Sequence, residues 1–341
     1  MFQSTMFLFI YTETPLHAGT GRGLGAIDLP IQRERITNYP IIQASSLKGR
    51  LRAEADPTLN GNPTLSKDEF KTIFGIAGDG GESYAGALSP GDARLLLLPA
   101  RSLAGVFAWV TSRQVLERLL RDVAVAKAHK GDFAPAYEEL ALALQAIRDE
   151  PAEPQSDADE RWALVGSECQ VKASDKVVLE EFAFAPKSGG AIGQNVAAIG
   201  KWLADNALPD APEYDYWQKA LPKHLAILPE DDFRDFCLFG VEVATRVALK
   251  PDTKTVEEGP WNEEMLPTET LLYAPLHATP ARMKDAPDNL KEASQVLAKV
   301  RQLNLTRTVL GGDETVGRGI VHLRFWEGEN GSQSTEEAGN A

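Results

Sequence analysis

The chain has 341 residues, 43% of them hydrophobic and 25% charged, the balance of a folded protein long enough to bury one large core or two small ones. Its formal net charge of −14 and pI near 4.9 argue against a uniformly basic nucleic-acid-binding surface, because affinity for phosphates comes from clustered Lys and Arg. No run approaches the roughly 18 apolar residues of a bilayer span, and Cys169 and Cys237 stand alone, without the spacing of a zinc site or a disulfide framework.

The first residues, MFQSTMFLFIYTE, carry no basic n-region and lead into an apolar run, Met6 to Tyr11, that predicts a buried strand; the expected location is the cytoplasm, with no membrane partner. A glycine-rich stretch follows, GTGRGLGAIDLPIQRE, from Gly19 to Glu34. Ser45 and Ser46 are placed to cap a helix that presents Leu47 and Leu51 on one face and ends before Pro57. Further strands are predicted over 93–100, 105–111, 177–184, 241–249, 269–276 and 320–325, and helices over 112–127, 135–148, 191–205 and 290–303. Interleaved strands and helices make an α+β or α/β sheet domain the expected class. The Pro- and acid-rich segment 151–160 reads as a mobile surface loop, and the acidic tail 327–341 as disordered. PLHA occurs twice, at Pro15–Ala18 and Pro275–Ala278, which raises the question of two related half-units.

Glycine lets backbone N–H groups close on an oxyanion without a Cβ in the way, so the first glycine stretch invites comparison with the known phosphate cradles. A P-loop needs Lys-Ser/Thr after its last glycine, where this chain has AID. A dinucleotide fingerprint needs a helix to begin where Pro30 stands. Both fail, leaving a glycine turn between strands or a loop that meets a nucleic-acid backbone. Acids concentrate in 149–160, 256–269 and 327–341, whereas SSLKGRLR (45–52) holds three cations and no acid, and helix starts of that kind bind phosphates. A second glycine cluster, GGDETVGRGIVHLRF, runs from Gly311 into an alternating strand. Two arginine-bearing glycine loops and a basic helix start fit a surface that tracks an RNA backbone.

Four ordered motifs, TPLHAGTGRGLGAIDLPIQRE, YPIIQASSLKGRLR, TKTVEEGPWNEEMLPTETLLY and LGGDETVGRGIV, carry a resemblance. Together they resemble the CRISPR-associated RAMP superfamily, most closely its repeated backbone subunit in type III-B (Cmr) effector complexes. The resemblance covers roughly residues 12–55, 245–275 and 305–325. It implies an α+β fold: a ferredoxin-like (RRM-related) core in a single domain over 1–326, with helical insertions at about 112–160 and 190–235 and a β-hairpin thumb at about 250–270. It implies as partners the CRISPR guide RNA, a single-stranded target RNA, further copies of the chain and other type III effector subunits. The implied activity is endoribonucleolytic cleavage of the paired target in antiviral defence.

By the same resemblance Asp28 is the residue needed for cutting. Ser45, Ser46, Lys48, Arg50 and Arg52, with Gly311, Gly312, Gly317 and Arg318, hold the guide backbone, and Arg22 joins them from the first glycine loop. Glu258, Trp261 and Met265 fall on the thumb, with Trp261 or Met265 as the wedge residue for the guide–target duplex. Two departures stand out: the chain is acidic for an RNA binder, and it reads QASSLKG where the family commonly has a glycine before the serines. A non-catalytic scaffold of the same fold and a nuclease that processes the guide remain open alternatives.

Cleavage by internal attack requires a 2′-hydroxyl to lose a proton. An ordinary aspartate, with pKa about 3.9, is a weak base for that step, so the expected role of Asp28 is to orient the hydroxyl or hold a divalent ion, Mg²⁺ by expectation. His17 is the histidine nearest the loop in sequence and the other candidate catalytic group. Glu257, Glu258, Glu263 and Glu264 are either further carboxylates for the cut site or a solvated hairpin face.

Overall fold

In the computed structural model, which describes residues 2–23, 25–59, 64–76, 83–129, 131–148 and 161–328, the apolar run at the start becomes β1 (Ser4–Thr12), buried at every position. A continuous apolar strand needs cover on both faces. It lies between two antiparallel neighbours at the heart of a thirteen-stranded sheet, with helices packed against it.

In chain order the principal strands after β1 are β2 (Ala93–Arg101), β3 (Phe107–Ser112), β4 (Trp162–Val165), β5 (Phe182–Lys187) and β6 (Leu225–Leu228). They continue with β7 (Glu242–Leu249), β8 (Val256–Met265), β9 (Leu271–Ala278), β10 (Arg307–Val309) and β11 (Ile320–Trp326). The helices are α1 (Ala44–Ala55), α2 (Lys67–Phe74), α3 (Arg113–His129), α4 (Ala134–Gln145), α5 (Gly190–Asn206), α6 (Asp215–His224), α7 (Glu230–Phe239) and α8 (Ala293–Arg301). The sheet order is β10–β11–β1–β9–β2–β3–β6–β4–β5, and every pair from β10 to β3 is antiparallel. The segments between β3 and β7 extend this sheet: β6 runs parallel to β3 and β4 parallel to β5. Strands β7 and β8 stand outside it as a two-stranded hairpin of their own, Glu242 opposite Met265 and Leu249 opposite Val256.

Several expectations are corrected. The strand expected over 177–184 is two antiparallel strands, Lys176–Leu179 and β5, folded back at Glu180, whose φ is +50°. Gln43, not Ser45 or Ser46, is the N-cap of α1; the serines sit inside the first turn, and Asp92 Oδ1 accepts the Ala44 N–H at 2.8 Å. The hairpin begins at Glu242, ahead of the range expected for a thumb. The two PLHA copies are not equivalent: Pro275–Ala278 lies within β9, paired to β1, whereas Pro15–Ala18 follows the end of β1. The loop expected at 151–160 lies outside the described residues, as does the tail from 329 onward. Among the described residues no helix is long and apolar enough to cross a membrane.

Candidate nucleic-acid interface and active site

Three segments distant in sequence meet at the base of the β7–β8 hairpin. The first is the glycine loop. Its stem is closed by the Gly19–Ile31 bridge and by the Thr20 N–H donating to Pro30 O at 3.0 Å; its tip closes through Gly23 N–H to Asp28 O at 2.8 Å. A Cβ on Gly23 would overlap Ile27 O, so the turn requires glycine there. Extended backbone follows, as Pro30 foretold, so no helix begins where this loop ends.

Asp28 is exposed at the end of that turn, yet its carboxylate is anchored, with Oδ2 accepting the backbone N–H of Asn262 in β8 at 2.8 Å. The next residue joins the same edge: Leu29 N–H donates to Asn262 O, and Glu264 N–H donates to Leu29 O, both at 3.0 Å. Leu16 continues the row, exchanging both backbone bonds with Leu266 at 2.8 and 2.9 Å. Strand β8 is thus paired to β7 on one edge and to the N-terminal loop on the other.

His17 is buried in this row. Its Nδ1 lies 2.7 Å from Glu264 O; the carbonyl can only accept, so Nδ1 carries the proton and Nε2 faces Gly19. Asp28 and His17 are therefore bound to backbone groups two residues apart on one strand, about 7 Å at roughly 3.3 Å per residue.

The second segment is the turn between β10 and β11. Gly312 N–H donates to His17 O, and Gly319 N–H to Pro15 O, both at 2.9 Å. Gly311, at φ +81°, passes so near His17 O that a Cβ would overlap it. Gly311 and Gly312 thus serve close packing on His17. Gly317, at φ +78°, borders open space, and Arg318 beside it is half-buried.

The third segment is the hairpin itself. Glu257 and Glu258 are exposed and Trp261 is half-buried, but Met265 is 0% exposed, which removes it as a surface wedge. Glu263 and Glu264 are buried, not a solvated face. Glu264 Oε2 accepts the Ile31 N–H at 2.9 Å, and Oε1 pairs with Arg33 at 2.5 Å; Arg33 also donates to Asn38 O and Cys237 O. Glu263 meets Arg246 at 2.8 Å, and burial followed by the neighbouring Asp313 carboxyl holds it above the usual carboxylate range. At the other side of the hairpin base a cleft of about 640 Å³ is lined by residues including Phe239, Glu242, Val243 and Glu269.

The cations of α1 form a separate patch. Ser45, Ser46 and, on the glycine loop, Arg22 are exposed. Lys48 donates to Leu88 O, and burial together with Arg52 and Arg282 lowers its pKa. Arg50 bonds Thr308 Oγ1 and pairs with Glu54, while Arg52 donates to Gly75 O and stacks on Phe70, 4.7 Å from the ring centre. These three side chains lean on the protein before they reach any RNA, and Asp92 fills part of the place a phosphate would take at the helix start. Sequence reasoning missed Arg282, exposed beside Lys48, and Gln32. Buried Gln32 donates through Nε2 to Gly19 O and accepts the Gln43 N–H on Oε1, stapling the glycine loop to the start of α1. A lone glutamine gives no sign of that in a one-dimensional pattern.

Among the described residues no group of three or more His, Cys, Asp or Glu side chains is placed to hold a metal ion. Asp28 offers a single carboxylate, which suits Mg²⁺ only in company with water and substrate phosphates.

With this geometry in view, the chain belongs to the RAMP superfamily, whose family description matches residues 9–322. It is 33% identical over 323 residues to the CRISPR system Cmr endoribonuclease Cmr4 of Pyrococcus furiosus, covering 94% of this chain and 95% of the relative. The crystal structure of oligomeric Cmr4 from the same organism superposes with a TM-score of 0.63 at 26% identity, over 95% of this chain and 98% of the other. A chain in the cryo-EM structure of the type III-B Cmr-beta complex bound to cognate target RNA shares the fold, with a TM-score of 0.67 at 21% identity over 95% and 98%.

Proposed function

We propose that this chain is a guide-RNA-binding backbone subunit of a type III-B CRISPR effector complex and cuts the paired target RNA with Asp28 at the scissile bond. The observation that carries the reading is the setting of Asp28: an exposed carboxylate at a glycine turn, held by a backbone N–H of the hairpin. The Cmr endoribonuclease similarity over nearly the whole chain supports the activity. The oligomeric state of one relative supports stacking of copies along a guide.

The central strands support the finer reading of a ferredoxin-like core. Two successive β-α-β units, β1–α1–β2 and β9–α8–β11, lie in the sheet as β11–β1–β9–β2, the fourth, first, third and second strands of that fold. Guide and target pair with each other, so the protein supplies backbone and shape contacts. Ser45, Ser46, Arg22, Arg318 and the Lys48–Arg52–Arg282 cluster meet the guide phosphates in this reading. The outer hairpin, with Glu258 and Trp261, lies against the duplex.

Asp28 orients the attacking 2′-hydroxyl. His17, buried and bonded at both Nδ1 and its carbonyl, positions the loop. A divalent ion held by Asp28 and RNA phosphate would supply charge stabilisation at the departing oxygen.

The test is cleavage of labelled target RNA by the guide-loaded complex, wild type against Asp28→Asn, at matched binding. Loss of cutting in the variant supports the reading. Equal cutting reduces the chain to a scaffold, and cutting of guide precursor without a paired target makes it a processing nuclease.

A further inference from the structure

The hairpin β7–β8 has its own two-stranded sheet, and the bonds that fasten it along one edge of β8 come from the backbones of Leu16 and Leu29 and the carboxylate of Asp28. A ribbon held along one edge resists sliding but can swing about that edge. Side-chain contacts oppose the swing: Glu264 of β8 holds Ile31 and Arg33, and on the other strand Arg246 reaches the β10–β11 turn.

Arg246 of β7 lies diagonally across from Glu263, since Ala244 is the residue opposite Glu263 and Trp261 the one opposite Arg246. Its Nε is 2.8 Å from Glu263 Oε2, and its Nη1 donates to Asp313 Oδ1 at 3.2 Å. Asp313 belongs to the β10–β11 turn, where φ of +63° turns the chain back toward the hairpin. The guanidinium therefore spans two carboxyls from two segments, both largely withdrawn from water, with side-chain exposures of 5% for Glu263 and 23% for Asp313. At Glu263 Oε2 the contact is a charge pairing rather than an aligned hydrogen bond, and Asp313 Oδ2 meets no hydrogen-bond donor. The His17 ring of the glycine loop also lies near Glu263, and Arg318 faces Glu242 further along the hairpin base.

We propose that Arg246 is a positioning residue for target cleavage: by bridging Glu263 and Asp313 it braces the hairpin against the β10–β11 turn and so fixes the Asn262 N–H that holds Asp28. Removing it does more than delete a bond. Glu263 and Asp313, which already press on each other, are left without their cation, so the pair must either part, carrying the hairpin away from the turn, or take up a proton and rearrange. The brace has an arithmetic signature that loss of packing lacks: deleting the cation harms, and then deleting one carboxylate heals.

This inference rests on the proposed role of Asp28, so its test carries a readout independent of cleavage. Guide-loaded complexes with Arg246→Ala, Asp313→Asn, Arg246→Lys and the double variant Arg246→Ala/Asp313→Asn are compared with wild type. The measurements are single-turnover target cleavage, guide and target affinity, and amide hydrogen exchange at Leu29, Asn262 and Glu264. Arg246→Ala is expected to slow cutting by at least tenfold with affinities unchanged, and to raise exchange at those amides. Arg246→Lys retains most of the rate, and the double variant returns to within about threefold of wild type in both readouts.

Wild-type rate and wild-type exchange in Arg246→Ala overturn the brace, as does a double variant no better than the single one. If Arg246→Ala does not fold, Asp313→Asn and the double variant still decide: an unstable double variant overturns the proposal, and a stable one supports it. Should wild-type complex fail to cut at all, the role of Asp28 falls, and the exchange measurements judge the brace by themselves.

Discussion

The carboxylate of Asp28 accepts the backbone N–H of Asn262 at 2.8 Å, joining residues 234 positions apart. An asparagine side chain can still accept that N–H through its amide oxygen, whereas alanine cannot. Asp28→Asn should therefore keep the stability of wild type, and Asp28→Ala should lose about 1 kcal/mol, the usual worth of one such bond. Both should lose cleavage by about a hundredfold or more if the charge does the chemistry. Thermal melting beside cleavage separates the structural part from the chemical one.

Chelation of Mg²⁺ by EDTA is expected to halt target cleavage while leaving guide binding intact. In the proposed reading the guide contacts are cation to phosphate, whereas a metal at the single carboxylate of Asp28 would need substrate to complete its shell. Restored cutting on adding Mg²⁺ back checks this; cutting undiminished in EDTA contradicts it.

Glu264 is the most committed acid of the site, with one oxygen on the Ile31 N–H and the other on Arg33, its side chain only 7% exposed. Glu264→Ala leaves the Arg33 guanidinium half-buried without its counter-charge, a change that typically costs about 3–5 kcal/mol. Urea unfolding should show a lowered midpoint, larger than for Glu258→Ala on the exposed part of the hairpin.

Gly311→Ala and Gly21→Ala form a controlled pair. Both positions have positive φ, at +81° and +92°, and share a backbone cost of about 1–2 kcal/mol. Only Gly311 faces an obstacle, the His17 carbonyl, which adds overpacking of about 1–3 kcal/mol. Gly311→Ala should melt lower than Gly21→Ala; equal melting points refute the packing role assigned to this glycine.

Burial pushes the Glu269 carboxyl up to about 7, and its Oε2 has no hydrogen-bond partner. An unfolded carboxyl titrates near about 4.3. Between these values the folded state holds a proton that the unfolded state has released. The contribution is fully present below the unfolded value and is lost as pH rises through about 7. Wild type should therefore lose stability from pH 5 to pH 8 relative to Glu269→Gln, measured by thermal melting at both pH values.

How much of this was legible beforehand depended on range. The Met6–Tyr11 run declared a strand covered on both faces, and Leu47 and Leu51 declared the buried side of α1, because such patterns repeat within a few residues. Trp162–Val165 and Leu225–Leu228 went unseen, since four apolar residues fit a strand or a helix turn equally well and a parallel partner leaves no local mark. At the site, Asp28 and the glycine loops were visible as motifs. The roles of Gln32, Arg246 and Glu264 were not, because each is defined by a partner on another segment. Lys48 and Arg52 stood out against the acidic composition as a basic segment, but Arg282, brought beside Lys48 from a distant segment, did not.

The row of bonds along β8 has a consequence for how the protein is made. Asp28 leaves the ribosome long before Asn262 has been synthesised, and the turn that seats His17 through Gly312 follows later still. A nascent chain therefore carries its acidic residue unplaced through most of translation. The arrangement is completed only when the last strands pair with the first, so a prematurely ended chain has the loop but lacks the scaffold that aims it.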